Sequence, residues 1–172
     1  MFNEQSNKIE KCIESFKTKL TQIEDANDNL EFHSLRENLL FHDIKESPSK
    51  QENCEELIKA LIQDVLQIEK NIELDRIHRI GKETPGKTRP IVAKFHHYSD
   101  RELLRKASIE KNPDLRALQQ GVGIQQTKAI LEKRRNKQHI VDRERNAGRT
   151  TKWAGSRLLV KVQNGGYHEL NN

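Results

Sequence analysis

The sequence contains few of the residues that build large hydrophobic cores or reactive centres. Among 172 residues there are 2 cysteines, 1 tryptophan and 1 methionine, and aromatic residues account for 5%. Cys12 and Cys54 form no CxxC motif and have no histidine at zinc-finger spacing, so we interpret both as small apolar residues of a reduced, intracellular protein. Apolar runs are no longer than three residues, and the first residues lack a signal-peptide pattern. These absences argue against a disulfide-stabilised secreted domain and a membrane-spanning helix.

Common signatures of enzymes are absent too. There is no glycine-rich phosphate loop, no HExxH and no GxSxG, and the carboxylates lie mostly at the spacing of a helix surface. His96 and His97 are neighbours in a predicted strand, where successive side chains point to opposite faces. We therefore interpret both histidines as structural, and we predict no enzymatic activity, no cofactor and no metal site.

Charged residues are abundant and unevenly distributed. They make up 33% of the chain, as much as the hydrophobic residues, and the net charge is +5. Residues 1–36 carry 5 basic and 7 acidic side chains, residues 37–120 carry 15 of each, and residues 121–172 carry 11 basic and 4 acidic. The low apolar content indicates an elongated or multi-part molecule. The basic C-terminal third is typical of a segment that lies along a polyanion.

Residues 1–35 carry a seven-residue hydrophobic repeat, which predicts a helix. From residue 9 onward, the apolar members of the repeat are Ile9, Phe16, Ile23 and Leu30 at heptad position d, and Ile13 and Leu20 at position a. Asn27 occupies an a position, where a polar side chain sets register at a cost in stability. A strict repeat of seven favours a left-handed coiled coil, and an isolated helix of this kind is marginal in water. We therefore predict a stalk that oligomerises with copies of itself; the alternative is one amphipathic helix packed on its own domain.

Between residues 36 and 126 the pattern predicts the order β-α-β-β-α-β, which is the split βαβ of ferredoxin-like α+β folds. The first helix is amphipathic and covers residues 52–67. The second begins at Ser99, which we predict to be the N-cap of a capping box with Glu102, and runs to about Glu110. Its residues available for burial are Leu103, Leu104, Ala107 and Ile109. The predicted strands lie at 36–44, on both sides of the loop that carries Gly81, Pro85 and Gly86, and at 122–125.

The stretch from Glu73 to Tyr98 predicts a basic β-hairpin. Its loop contains Gly81, Pro85 and Gly86, which favour turns. The basic residues on the strands and loop are Arg76, Arg79, Lys82, Lys87, Arg89 and Lys94. Phosphate is the expected partner of such a ribbon, because each Lys or Arg that meets a phosphate releases condensed counterions. The alternative is a hairpin whose charges only keep it solvated.

The C-terminal part, residues 127–172, predicts a basic helical segment followed by one or two strands. The helical segment starts at Thr127 and is stopped by Gly148. Residues 150–162 suit the strands and contain Trp153, the single tryptophan. We interpret Trp153 either as a side chain that stacks on bases or as a core residue.

Five segments, taken in order, resemble one family. They are the N-terminal coiled coil, Glu37-Asn-Leu-Leu-Phe-His-Asp-Ile, His78-Arg-Ile-Gly-Lys, Arg89-Pro-Ile-Val-Ala-Lys-Phe and Leu131-Glu-Lys-Arg-Arg. Over nearly the whole chain they resemble the RNA-binding protein encoded by the first open reading frame of LINE-type non-LTR retrotransposons.

This resemblance implies a homotrimer with a coiled-coil stalk at residues 1–35, an RNA-recognition-motif (RRM) domain at 36–126 and an abbreviated basic C-terminal domain at 127–172. It implies binding of single-stranded RNA, and also DNA, with nucleic-acid chaperone activity in the ribonucleoprotein of transposition. The expected location is cytoplasmic and also nuclear. Lys19 to Glu24 resemble the pattern that specifies trimers in the family. Matching positions for nucleic-acid binding are Arg79, Lys82, Lys87, Arg89, Lys94, Arg134, Arg135 and Trp153, to which we add Arg149.

The predicted sheet lacks a feature of most RRM domains. Those domains stack bases on aromatic residues at the centre of the sheet, whereas the outward positions here are Leu40, Val92 and Lys94, beside His42. We therefore predict electrostatic binding with little sequence preference. The alternative function is a protein–protein adaptor, with a coiled coil and a pseudo-RRM docking domain. The basic C-terminal third favours nucleic acid, since an adaptor does not need this charge.

Overall fold

The seven-residue repeat forms one long helix, α1 (Phe2–Leu35), as predicted. The structure is a computed structural model, and it describes residues 2–47, 52–162 and 165–170. The apolar residues of the repeat are exposed, from 48% at Ile13 to 70% at Leu30. Exposing an apolar stripe to water is unfavourable, so the helix presents a surface that a partner helix can cover.

Contacts along the chain divide it into two units. The central unit is Leu35–Gln125, and the terminal unit combines Met1–Ser34 with Gln126–Asn172. Both contain helices and antiparallel strands, so the predicted mixed α+β class with a long N-terminal helix is confirmed. No helix in the described ranges is long and apolar enough to span a membrane.

A four-stranded sheet organises the central unit. The strands are β1 (Asn38–His42), β2 (Leu74–Arg79), β3 (Ile91–Phe95) and β4 (Gly121–Ile124), in the spatial order β2-β3-β1-β4 with every pair antiparallel. The amide of Asn38 donates to Gln125 Oε1 at 2.7 Å, where β1 and β4 run side by side. The first and last strands of the unit are therefore direct neighbours.

One face of this sheet carries the core. Leu39 and Phe41 of β1 point to the same face as Phe95 of β3, and all three are fully buried. Helix α2 (Cys54–Ala60) packs on this face through Ile58. Each buried side chain of this size stabilises the fold by about 1.5–3 kcal/mol relative to an exposed one. The other face carries the alternate residues of the strands, of which Val92 is also buried.

The helix predicted at residues 52–67 changes geometry halfway, which the amphipathic pattern did not predict. After α2 the chain forms a π-helical turn, Leu61–Val65. Leu66 N donates to Leu61 O, and Ile68 N donates to Ile62 O, each at 3.1 Å. The first bond spans five residues, one more than in an α-helix, as in a π-helix, and the second spans six. The turn keeps Leu61, Ile62 and Leu66 buried against the sheet.

The predicted capping box at the second helix is wrong. Helix α3 (Tyr98–Glu110) has His97 at its N-cap, so Ser99 lies inside the first turn. The carboxylate of Glu102, which a capping box would turn back to the cap, instead accepts hydrogen bonds from Arg105 at 3.0–3.1 Å. An ion pair one turn along the helix has therefore replaced the backbone cap.

The apolar residues of α3 are only partly buried. Leu104 is fully buried and Ala107 packs against the core, but Leu103 and Ile109 are 42% and 61% exposed, so the prediction that they are available for burial is wrong for these two. A short helix that was not predicted, α4 (Asn112–Ala117), follows and starts with proline near its first position. Proline suits that position because the first helical N–H groups have no partner in the helix.

In the terminal unit, two helices precede a small sheet. Its elements are α5 (Lys128–Asn136), α6 (Gln138–Asn146), β5 (Thr151–Ala154), β6 (Arg157–Lys161) and β7 (Tyr167–Glu169). Thr127 caps α5 by accepting from Ile130 N, so the segment starts where it was predicted to start. Gly148 follows α6 in the left-handed region at φ +73. The helical segment is broken at Lys137, and β7 was not predicted. Carboxylate oxygens of Glu31 accept from Lys128 N at the start of α5.

Candidate nucleic-acid interface

The tip of the β2–β3 hairpin presents two lysines to solvent. Thr84 and Lys87 close a tight turn, in which Lys87 N donates to Thr84 O at 3.1 Å. Pro85 and Gly86 occupy its centre, and Gly86 has the positive φ, +75, that this turn requires. Lys82 and Lys87 are exposed and have no ion-pair partner among the described residues. Their ammonium groups are therefore available to a phosphate.

Arg76 extends this basic surface along the hairpin. It lies on β2 opposite Lys94 of β3 and is exposed. Lys94 is partly neutralised, since its ammonium lies 3.7 Å from carboxylate oxygens of both Glu37 and Asp75. Within the described chain, Arg76 has no such partner, so it is the stronger anion-binding position of the two.

Arg79 has a structural role instead. The strand register places it opposite Ile91 on the core face, and its side chain is only 4% exposed. The guanidinium donates to both carboxylate oxygens of Glu52, at 2.6 and 2.8 Å, and to Arg89 O at 2.6 Å. The hydrogen bonds from Arg79 lower the pKa of Glu52 to about 2. A phosphate cannot reach this guanidinium without opening the unit.

Arg89 is also engaged within the fold. Its guanidinium donates to Glu46 Oε2 at 3.0 Å, and its backbone N–H donates to Oε1 of the same carboxylate. The side-chain hydrogen bond with Glu46 raises the pKa of Arg89. We therefore leave Arg79 and Arg89 out of the proposed interface, although both were predicted to contact phosphate. Composition cannot separate them from Lys82 and Lys87, because the difference depends on acids brought close by folding.

The outward face of the central sheet follows the predicted alternation. Leu40, Val92 and His78 form one row across it, and Arg76, Lys94 and Asn38 form the next. Among the described strand residues, this face carries no Phe, Tyr or Trp. It cannot hold bases by stacking on large aromatic rings in the way that most RRM sheets do.

Helix α5 and strand β5 bring together two of the predicted binding residues. The guanidinium carbon of Arg134 lies 5.4 Å from the centroid of the Trp153 ring, and Arg134 Nε donates to Gly155 O at 2.8 Å. Burial lowers the pKa of Arg134. Trp153 is half-buried and packs against Ile140, Val141 and Leu158 on its inner side. Both interpretations of Trp153 therefore retain support, since one part of the ring belongs to the core and another part is open.

The remaining predicted residues of the terminal unit differ in availability. Arg135 is exposed and has no ion-pair partner within the described residues. Arg149 donates to Glu144 Oε2 at 2.5 Å, and Glu144 Oε1 also accepts a hydrogen bond from Arg143 Nε. Arg149 is thus half-exposed but already balanced by a buried carboxylate.

An open face of the small sheet adds residues that the sequence analysis missed. The register pairs Lys161 with Tyr167, and the Lys152 ammonium lies 3.7 Å from the centroid of the Tyr167 ring. These residues point away from the face that buries Leu158 and Val160. Period-two alternation in β5 and β6 could have identified the lysines. Tyr167 could not be found in this way, because β7 was not predicted as a strand.

The predicted oligomerisation residues share one exposed stripe of α1. The polar members Lys19, Glu24 and Asn27 are exposed, like the apolar residues of the repeat. Within the described chain, Lys19 and Glu24 have no ion-pair partner of their own. Their charges remain available to a neighbouring helix.

His96 and His97 lie close together, contrary to the prediction that they point to opposite faces. Strand β3 ends at Phe95, so both histidines follow it in a bend, and their ring centroids are 4.6 Å apart. His96 Nδ1 lies 2.8 Å from Asp75 Oδ1, and this hydrogen bond raises the pKa of His96. The alternation rule does not apply beyond the end of a strand.

Comparisons with models of protein families and with curated protein sequences find no match to this chain. Charge, exposure and geometry of the side chains described above are therefore the observations from which a function can be inferred.

Proposed function

We propose that this chain binds single-stranded nucleic acid, mainly RNA, and acts as a nucleic-acid chaperone in a retrotransposon ribonucleoprotein, in the cytoplasm and also in the nucleus. The observation that carries the proposal is uncompensated positive charge in the terminal unit. Of the 11 basic side chains of residues 121–172, only Arg143, Arg149 and Arg157 form ion pairs with carboxylates of the described chain. The others supply the exchangeable phosphate contacts that polyanion binding requires.

The central unit supports this function as an RRM-like, ferredoxin-type domain. Its strand order β2-β3-β1-β4, with helices following β1 and β3, is the arrangement that this interpretation needs. Since the described strand residues place no large aromatic ring on its outward face, it would bind through Arg76, Lys82 and Lys87 at the backbone of the nucleic acid. Such contacts carry no sequence information directly, which suits a protein that coats many sequences.

Self-association through α1 completes the proposal. Three copies would bury the exposed stripe of the helix, and the pairs of Lys19 and Glu24 across neighbouring copies would favour a parallel homotrimer. A chaperone must hold strands long enough to bring them together and still release them. Many weak phosphate contacts, multiplied by linking three binding chains, give this combination.

The test is the salt dependence of binding to a single-stranded RNA, measured by fluorescence anisotropy with the full chain. We expect the logarithm of the binding constant to fall linearly with the logarithm of salt concentration, with similar slopes for unrelated sequences. A strand-annealing assay on complementary oligonucleotides measures chaperone activity in parallel. Absence of binding at low salt would contradict the proposal and would favour the adaptor alternative.

Alanine at the hairpin tip tests the interface directly. Lys82→Ala and Lys87→Ala should each weaken binding to all sequences alike, and each should reduce the salt slope on single strands by about 0.7. The physical reason is the loss of one phosphate contact per substitution. Lys106→Ala is the matched control. Lys106 is an exposed lysine on α3, which packs on the core face of the sheet. A loss that depended on the oligonucleotide sequence would contradict the phosphate assignment.

Trp153 provides an intrinsic probe for the terminal unit. We expect its fluorescence to be quenched on titration with a single strand and much less with a duplex, whose bases are already stacked. Trp153→Ala should weaken single-strand binding by roughly 1–3 kcal/mol, the usual loss of one stacked base.

Because Trp153 also packs on the core of its unit, that loss needs a stability control. Val160→Ala removes buried methyl groups from the same small sheet and leaves the Trp153 ring in place. If Trp153→Ala and Val160→Ala lower the melting temperature alike but only Trp153→Ala weakens binding, stacking is supported. Unquenched fluorescence in the wild type would assign Trp153 to the core.

A further inference from the structure

A group of metal-ligating side chains lies at the base of the β2–β3 hairpin, away from its lysine-bearing tip. Glu73 precedes β2, while His96 and His97 follow β3. One ligand atom from each of these three residues can be chosen so that all lie within 4.8 Å of one another. All three side chains are exposed, so a cation from solution can reach them.

Backbone contacts of the fold hold these residues in place. His96 N donates to Glu73 O at 3.1 Å, which continues the pairing of the two strands beyond β3. His97 is fixed by a different element, because its carbonyl accepts from Asp100 N and Arg101 N at the start of α3. Two of the ligand residues therefore sit on the hairpin, and the third joins it to a helix.

The donor set has a definite chemical preference. Two imidazole nitrogens and one carboxylate oxygen form the three-residue ligand set of many zinc sites, in which water occupies the fourth position. Calcium and magnesium favour oxygen ligands and would gain little from the histidines. The set therefore selects a zinc-like divalent cation.

Asp75 supplies an outer partner for one of the ligands. Its Oδ1 lies 2.8 Å from His96 Nδ1, so in the site proposed below the metal would bind the other ring nitrogen, Nε2. Carboxylates that accept from a ligating histidine fix its tautomer and its orientation. Lys94 Nζ lies 3.7 Å from Asp75 Oδ2, so the charges around the three ligands include Asp75 and one balancing lysine.

We propose that Glu73, His96 and His97 form a binding site for one Zn²⁺ ion per chain, with Asp75 as the positioning residue for His96. Bound zinc would tie the start of β2 to the start of α3. The site is independent of the lysines proposed to contact phosphate, so it does not depend on the proposed nucleic-acid function.

The experiment is calorimetric titration of the full-length protein with zinc chloride, accompanied by cobalt(II) absorption spectra as a probe of coordination. We expect one saturable site per chain and visible cobalt bands of a four-coordinate site. His97→Ala should remove both, and Asp75→Asn should weaken zinc binding roughly 10- to 100-fold. His139→Ala is the control, because His139 is an exposed histidine of α6 outside this group.

These substitutions change exposed side chains, so circular dichroism should show that each variant remains folded. Zinc should also raise the melting temperature of the wild type but not of His97→Ala, since only the complete site binds in the folded state. The proposal is overturned if no one-to-one binding is found, or if His97→Ala and His139→Ala bind zinc equally well.

Discussion

Replacing Leu20 by glutamate should convert the proposed trimer into a monomer. Leu20 lies at an a position of the repeat on α1, where it is 57% exposed in the single chain. In a trimer, three copies of this leucine would meet in the seam, each contributing roughly 1.5–3 kcal/mol through burial. Three glutamates in the same layer would lose that contribution and would bring like charges together without partners.

The measurement is size-exclusion chromatography with multi-angle light scattering. Gln22→Glu is a close control, because it adds the same charge two residues away at a c position, outside the seam. The control should remain trimeric. RNA binding by Leu20→Glu should fall by about 100-fold or more, since linked binding modules lose their avidity when they separate. A monomeric wild type at micromolar concentration would contradict the stalk hypothesis. A clean dimer would support the coiled coil but contradict the trimer.

Replacing Glu52 by glutamine should strongly destabilise the central unit. The substitution leaves the Arg79 guanidinium buried without a carboxylate, and breaking a buried pair in this way costs about 3 kcal/mol or more. For a unit of this size, that loss corresponds to a fall in melting temperature of at least about 10 °C. Urea denaturation followed by circular dichroism measures the free energy of unfolding directly.

Glu55, in the first turn of α2, provides the control. Glu55 pairs with Lys59 at 2.7 Å, but both side chains are about half exposed. Glu55→Gln should therefore cost less than about 0.5 kcal/mol. Equal unfolding midpoints for Glu52→Gln and Glu55→Gln would show that the Arg79 pair does not stabilise the unit.

The contribution of Glu52 should also depend on pH. Its pKa in the folded protein is about 2, below its ordinary value of 4.5. Because folding depresses this pKa, the stabilisation is complete above about pH 4.5 and is lost as the pH falls towards 2. The free energies of unfolding of the wild type and Glu52→Gln should therefore converge across this window. A difference that stayed constant from pH 7 to pH 3 would contradict the ionic origin of the effect.

Elements with a strong period were predictable, whereas local exceptions were not. Repeats of seven predicted α1, and alternation predicted the buried face of β1, because each pattern reports one uninterrupted packing surface. The π-helical turn after α2 was missed, since hydrophobic residues remain on one broad face whether or not the helix widens. Helix α4 and strand β7 were missed because short elements carry too few residues to show a period.

The candidate site shows the same division at the level of single side chains. Lys82 and Lys87 lie on a loop tip, where exposure follows from the turn residues between them. Arg79 looks similar in the sequence, but the strand register turns it inward towards Glu52, which is 27 residues away. Its role depends on an acid contributed by another element. Sequence composition therefore identifies a basic region more reliably than it identifies which of its members are available.

The adjacency of β1 and β4 gives the central unit the architecture of an exchangeable cassette. The chain enters this unit just before Asn38 and leaves it at Gln125, and these two side chains are hydrogen-bonded at 2.7 Å. Domains with neighbouring termini tolerate insertion into a host chain and replacement by another domain. In evolutionary terms, recombination at the two ends of this segment could replace the whole unit with another domain, because both ends lie at one place in the fold. The N-terminal helix and the basic C-terminal segment would keep their reading frame.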